Sequence, residues 1–464
     1  MVRRSALCSL LLLSAAAAAQ PVAIVGGTVH TGTGEPLEGA TVLFDDGRIV
    51  AVGRDVAVPE GARRIDAAGK VVTPGLFNSH TQIGIVEINA VEDTRDVRTE
   101  DDRLSAAFAV ADALDPFSSV IPVTAIEGVT RAVVAPDPGE SLIAGQGAVI
   151  HLGVEEPIGP DTLLVRSPVA MFAVLGAAGA ELAGGARSAA LVRLEEALED
   201  ARDFAAHRQA WETGDRRSYA LSRLDLEALV PVVEGELPLA VHVHRASDLL
   251  TTLRLAEEHG LELILLGAAE GWRVAEAIAR AGVPVVVDPL TNIPRFDNLA
   301  ATLENAARLH AAGVRVAFAT FDTHNARTLK QAAGNAVAYG MPYQAALAAV
   351  TRVPAEIWGI AESYGTLAPG MDADVVVWGG DPFELLTPVE HVFVRGREVP
   401  RETRQQKLFE REFTLELLPL TGEIRLHDGL FEREERYETL PAEIEAVRDY
   451  IAGRATPKSW SRSH

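Results

Sequence analysis

VVTPGLFNSHTQ, residues 71–82, sets two short apolar runs on either side of a Pro-Gly pair and ends the second run with His80 and Gln82. Side chains alternate across a strand, so residues two apart project from the same face. Two donors placed in this way can grip one ion. An imidazole nitrogen is a good zinc ligand, whereas the neutral amide oxygen of Gln82 is a poor one. The stretch reads as a buried strand that carries chemistry at its C-terminal end, with one of its two donors weakened.

Before this strand, AIVGGTVHTGTG (23–34), TVLFDDGRIVAVG (41–53) and RRIDAAGKVVTPG (63–75) alternate apolar runs with Gly- and Asp-rich turns, the pattern of short β-strands. The same pattern returns in GTLAPGMDADVVVWGGDP (365–382) and EHVFVRGREV (390–399). Strands at both ends of a long middle segment predict one small β-sandwich built from both chain ends. Between them lie the apolar runs GVTRAVVAP (128–136), GAVIHL (147–152), LAVHVH (239–244), LELILLG (261–267), VPVVVDP (283–289) and VRVAFAT (314–320). They read as buried parallel strands, with amphipathic helices such as 190–211 and 246–260 in the gaps. The alternation predicts an α/β protein with a (β/α)8 TIM-type barrel. An open doubly wound sheet is the alternative, but no GxGxxG turn follows an early strand to support it.

The first residues read as a targeting segment. Arg3 and Arg4 precede an apolar stretch, and Ala17-Ala18-Ala19 offers a small-residue cleavage site, so an exported, periplasmic protein is expected. Cys8 is the only cysteine, and it leaves with that segment, so the mature chain would have no disulfide and no cysteine ligand or nucleophile. The formal net charge is −23, from 42 basic and 65 acidic residues. So acidic a chain argues against nucleic acid or an anionic membrane as partner. The expected divisions are a signal peptide at 1–19, sandwich parts at 20–73 and 365–400, a barrel at 74–364, and a charge-dense C-terminal extension at 401–464. Neither a Ser-centred elbow nor a P-loop competes for the chemistry.

PGLFNSH, AGQGAV (144–149), VHVHRASDLLTTLRLAEEHGLEL (241–263) and LAPGMDADVVVWGGDP (367–382) together resemble the amidohydrolase superfamily, in particular its imidazolonepropionase-like, periplasmic members. The resemblance runs from residue 22 to 399. It implies a barrel beside a two-part sandwich, and hydrolysis of C–N bonds in amides or cyclic amides by metal-activated water. It also implies a divalent metal, zinc foremost, held by two histidines of strand one, one each from strands five and six, and an aspartate of strand eight.

Carried over residue by residue, the resemblance puts His80 and His242 at ligand positions and Asp322 at the strand-eight position as ligand and proton acceptor. Asn78 stands where the pattern has Asp, and Gln82 and Gly267 stand where it has histidines. Phe321 takes the strand-eight position instead if there is no one-residue insertion, and Asp322 then reads as a loop cap. His244, Arg245, His324 and Arg327 are expected around the mouth as substrate contacts, with the two arginines suggesting a carboxylate on the ligand. His151 could point into the mouth or be a satisfied core residue. Glu270 could be a replacement acid or a helix N-terminal carboxylate. The glycines around Gln146 read as a tight turn or as a close approach to a ligand.

The only lysines are Lys70, Lys330, Lys407 and Lys458, so the carboxylated lysine that bridges two metals in some members is ruled out between strands one and eight. At most one metal is expected. Two readings stay open: a metal-assisted hydrolase of a small amide-like substrate, or a degenerate site that binds a ligand or supports an intact paralogue. A homo-oligomer is compatible with both.

Overall fold

The computed structural model describes residues 20–101, 103–153, 158–159 and 161–401. The expected signal peptide and nearly all of the expected C-terminal extension lie outside the described residues. Every described residue belongs to one compact unit within Met1–Gln406. Among the described residues, no helix is long and apolar enough to cross a membrane.

The N-terminal strands are β1 (Val22–Val29), β2 (Leu37–Asp45), β3 (Arg48–Gly53), β4 (Arg63–Asp66) and β5 (Val71–Pro74). After the strands of the middle segment, β16 (Val375–Trp378), β17 (Val389–Val394) and β18 (Arg397–Glu398) come from the other end of the unit. All eight join in one hydrogen-bonded sheet ordered β18-β17-β16-β5-β1-β2-β3, with β4 also on β1. The expected sandwich is thus a single sheet folded over on itself. β4 and β5 share β1 end to end, pairing with Val22–Val25 and with Thr28–Val29, and so allow the bend. Phe44 of β2 and Phe393 of β17 stand four strand spacings apart in sheet order, about 19 Å if the sheet were flat. Their ring centroids are 5.0 Å apart.

The middle segment supplies β6 (Leu76–Thr81), β7 (Val129–Val134), β8 (Ile143–Gln146), β9 (Ala148–His151), β10 (Leu164–Arg166), β11 (Met171–Val174), β12 (Leu239–Val243), β13 (Leu263–Gly267), β14 (Val285–Val287) and β15 (Val316–Phe318). β6 pairs parallel with β7, and β11 to β15 form a parallel row. Between these groups β9 runs antiparallel to β7, and β8 antiparallel to β11. The expected third parallel strand therefore runs the other way. Alternation sorts the side chains: Phe77, Val133, Val149, Phe172, Ala240, Ile264, Val286 and Ala317 form the inner cluster, and their neighbours pack outward.

No ladder joins β6 to β15 among the described residues. Ala349 and Val350 lie in that seam, accepting the amides of Phe318 and Phe77. The unit is a mixed α/β fold with a TIM-barrel-like domain whose sheet is interrupted.

The reversal of β8-β9 moves His151 away from the mouth. His151 pairs with Arg131, near the start of β7. Its Nε2 lies 2.7 Å from the Thr162 carbonyl, and its Nδ1 accepts the Gly153 amide. Gly145 and Gly147 are no tight turn. They let the strand pass Phe108 and Phe172, whose atoms would sit 2.4 Å and 2.3 Å from an added Cβ. The two acids of PGMDADVVVW pin the sheet to the barrel: fully buried Arg131 reaches Asp372 at 2.9 Å and Asp374 at 3.2 Å.

Burial, helped by the Arg131 charge, pushes the His151 imidazolium down to about 3 from an ordinary 6.5. The unfolded chain therefore binds the proton first, and His151 adds stability above pH 6.5 that is lost as pH falls toward 3. Thermal melts from pH 8 to 4 should show a loss on the order of 2–4 kcal/mol from this group. In His151→Asn that acid limb should be shallower, and an unchanged slope would refute the assignment.

Candidate active site

Strand ends set the geometry. On β12, inward Ala240 predicts inward His242, and His244 follows two residues later at the strand's C-terminal end. The His242 and His244 ring centroids are 4.7 Å apart. On β6, register shifts between Asn78 and Thr81 turn His80 inward, against Phe172 at 6.0 Å. Strand β15 ends before Thr320-Phe321-Asp322, and Phe321 takes φ +48°, rare for an aromatic residue. The Phe321 ring packs against two imidazoles, 4.7 Å from His80 and 5.5 Å from His242.

These ends open on a cavity of about 470 Å³ lined chiefly by His242, His244, Asp288, Arg295, Phe321 and Asp322. A larger cleft of about 860 Å³, beside Arg315 and Arg352, holds none of the sequence-predicted residues. Burial pushes the His80 imidazolium down to about 4. Burial, with His244 and His80 nearby, pushes His242 well below its ordinary value, and burial lowers His244. All three rings are neutral at pH 7. Nδ1 of His80 and Nδ1 of His244 are buried and have no hydrogen-bond partner among the described residues.

The other predicted residues are spread more widely. Gln82 leaves the strand, and its carbonyl accepts the Ile85 and Val86 amides at the start of a turn. Gly267 ends β13 at φ +80°, and a Cβ added there would lie 2.5 Å from His244 Cε1 and 3.0 Å from His242 Nε2. The His244 ring therefore fills the space that a strand-six side chain would enter. Asp322 lines the cavity, but its carboxylate accepts the Asn325 amide at 2.8 Å, as a loop cap does. His324 Nε2 bonds the Glu87 carbonyl at 3.0 Å. Arg245, at the start of helix Ala246–His259, and Arg327 are exposed, and neither lines the cavity.

Glu270 is a clamp. Its Oε2 accepts the Ala246 amide at 3.0 Å, and its Oε1 the Ala300 amide at 2.9 Å. The sequence reading missed Asp288, Asn292, Arg295 and Asp297, all on the segment after β14. The signal was the acid that closes VPVVVDP, since catalytic groups in barrels stand at the C-terminal ends of strands.

Among the described residues, no three His, Cys, Asp or Glu side chains converge to hold a metal ion. A catalytic zinc takes three protein donors plus water. With Phe321 packed against both His80 and His242 and no side chain on Gly267, the residues present do not fit that ion.

Residues 222–399 match the family model described as "Amidohydrolase family". The amidohydrolase tasK of Hapsidospora irregularis is 24% identical over 410 residues, 78% of this chain and 42% of that protein. The chain thus spans less than half of that relative. A 5-methylthioadenosine/S-adenosylhomocysteine deaminase of Symbiobacterium thermophilum is 26% identical over 80% of this chain and 87% of its own length. The crystal structure of an amidohydrolase from Thermotoga maritima MSB8 superposes with a TM-score of 0.74 at 27% identity, covering 82% of this chain and all of that one. The chain belongs to the amidohydrolase superfamily.

The clamp predicts a stability effect. Glu270→Ala strips two charge-assisted bonds from part-buried amides and should cost about 2–3 kcal/mol. A urea melt checks this, and an unchanged midpoint would remove Glu270 from the scaffold.

Proposed function

We propose that this chain hydrolyses a C–N bond in a small amide, cyclic amide or amino-substituted heterocycle held at the mouth cavity. One structural observation carries the reading: His244, a neutral imidazole with an unpartnered Nδ1, lines a cavity at the C-terminal strand ends, where this fold keeps its chemistry. Superfamily membership supports the reaction class, since the relatives' names are those of amidohydrolases and a deaminase. The targeting-type residues 1–19 support an exported protein.

Hydrolysis breaks the C–N bond, adds the hydroxyl of water to carbon and returns a proton to the leaving nitrogen. His244 can take the proton from water and hand it back, the work of a general base followed by a general acid. Arg295, which has no ion pair among the described residues, can face an oxygen as negative charge develops on it. Asp288 and Asp322 add negative charge to the lining, whereas Asp297 is taken up by Arg187 at 2.6 Å. Such a lining favours a substrate rich in N–H groups. The superfamily commonly uses a divalent metal, but no step here is routed through one, because the donor set does not fit it.

Phe321 favours a second reading, binding without turnover, because its ring packs against both His80 and His242. Ammonia release and amide cleavage across a panel of amides, lactams and aminopurines separate the two. For any substrate turned over, His244→Ala should lower kcat by about 10²–10⁴-fold with KM changed far less. An unchanged kcat would sink the role of His244. Ligand-induced thermal shifts with no turnover by the wild type would favour the second reading.

A further inference from the structure

Position 267, where the superfamily pattern puts a donor, carries no side chain, and the segment after β15 offers Phe321 and Asp322. The side chain there that meets both retained histidines is Phe321. We propose that residue 321, not residue 322, is the strand-eight donor position of this chain, and that the Phe321 ring keeps a metal ion out of the mouth. The inference stands on geometry and is independent of the proposed hydrolysis.

Three observations converge. The Phe321 ring centroid lies 4.7 Å from that of His80 and 5.5 Å from that of His242, so a short donor on the same Cα would stand close to both imidazoles. Asp322, the neighbouring candidate, is already committed: Oδ1 to the Asn325 amide at 2.8 Å, and Oδ2 to the Asn325 side-chain amide at 3.3 Å. The backbone of Phe321 sits at φ +48°, a conformation that suits Asp or Asn far better than an aromatic residue. Residue 321 therefore has the place and the backbone of a short polar residue, and it carries a ring. That ring packs against the inner apolar cluster, which repays part of the strain.

The substitution Phe321→Asp should then do two things at once. It relaxes the backbone, and it sets a carboxylate close to both His80 and His242, completing the three-donor set that zinc needs beside water. His244, whose Nδ1 has no partner, stays available beside it.

The test reads metal, not activity. Wild type, Phe321→Asp and Phe321→Asn are loaded with zinc sulfate, desalted and assayed by elemental analysis, with melts taken with and without zinc. Phe321→Asp should retain about one zinc per chain and melt higher with zinc, as coupled binding requires. Wild type and Phe321→Asn should retain none above background. Stoichiometric zinc in the wild type would overturn the proposal. So would a folded Phe321→Asp that binds none. If Phe321→Asp does not fold, Phe321→His, which keeps a ring while adding a donor, carries the same test.

Discussion

The side-chain amide of Asn78 ties the two ends of the barrel-like domain together, and the arrangement of the mouth follows from it. Asn78 is fully buried. Its Nδ2 donates to Thr320 Oγ1 at 2.8 Å and to the Ala326 carbonyl at 3.3 Å, while its Oδ1 accepts the Thr320 amide at 3.3 Å. No ladder closes this seam, so these bonds and the Ala349-Val350 contacts hold β6 against the end of β15. A carboxylate at 78 could accept but could not donate to the Ala326 carbonyl. It would also be a buried charge without a cation beside it, and costly for that reason. The neutral amide meets both sides of the seam without burying a charge.

With Thr320 fixed by Asn78 and the following turn capped by Asp322, the residue between them has little freedom. Phe321 is delivered inward, where it meets His80 and His242. On the other side of the mouth, Gly267 leaves a space that His244 enters. Desolvation then keeps all three imidazoles neutral, outweighing the pull of Asp137 on His80 and of Asp297 on His244. The site is thus consistent across levels: a neutral amide in the seam, an aromatic ring at the strand-eight position, and uncharged rings around it.

Much of the fold was legible because it rests on local periodicity. The two-ended β pattern, the runs of β12 to β15, and His242 with His244 on one strand face follow from alternation alone. What was not legible depends on pairing. GAVIHL reads as a buried strand, but nothing in six residues tells which way its partners run, so its antiparallel course and the removal of His151 from the mouth were hidden. MFAV in β11 is too short to stand out from its surroundings. Arg245 and Arg327 follow strand ends in sequence, but helix and turn geometry carries them outward, and no pattern of charges reveals that. Glu270 read as a replacement acid or, more plainly, as a helix N-terminal carboxylate, and its second bond, to the Ala300 amide, could not be read from the sequence. The Phe321–Asp322 ambiguity was visible in the sequence as a one-residue register question. It required the backbone to show which side chain faces the histidines.

Discrimination between ligands then falls to the rim. The interior wall is built of neutral imidazoles and aromatic rings, which offer flat apolar faces and a few unpaired nitrogens but no fixed charge. The charged groups, Asp288, Arg295 and Asp322, stand where the strands give way to loops. In such an arrangement the wall selects for shape and planarity, and the rim selects for the placement of donors and acceptors, because a buried polar group left unpaired costs more than a matched one returns. The segment after β14 supplies Asp288 and Arg295 to that rim together, and Asp288 also fixes its own turn through the Leu290 and Thr291 amides.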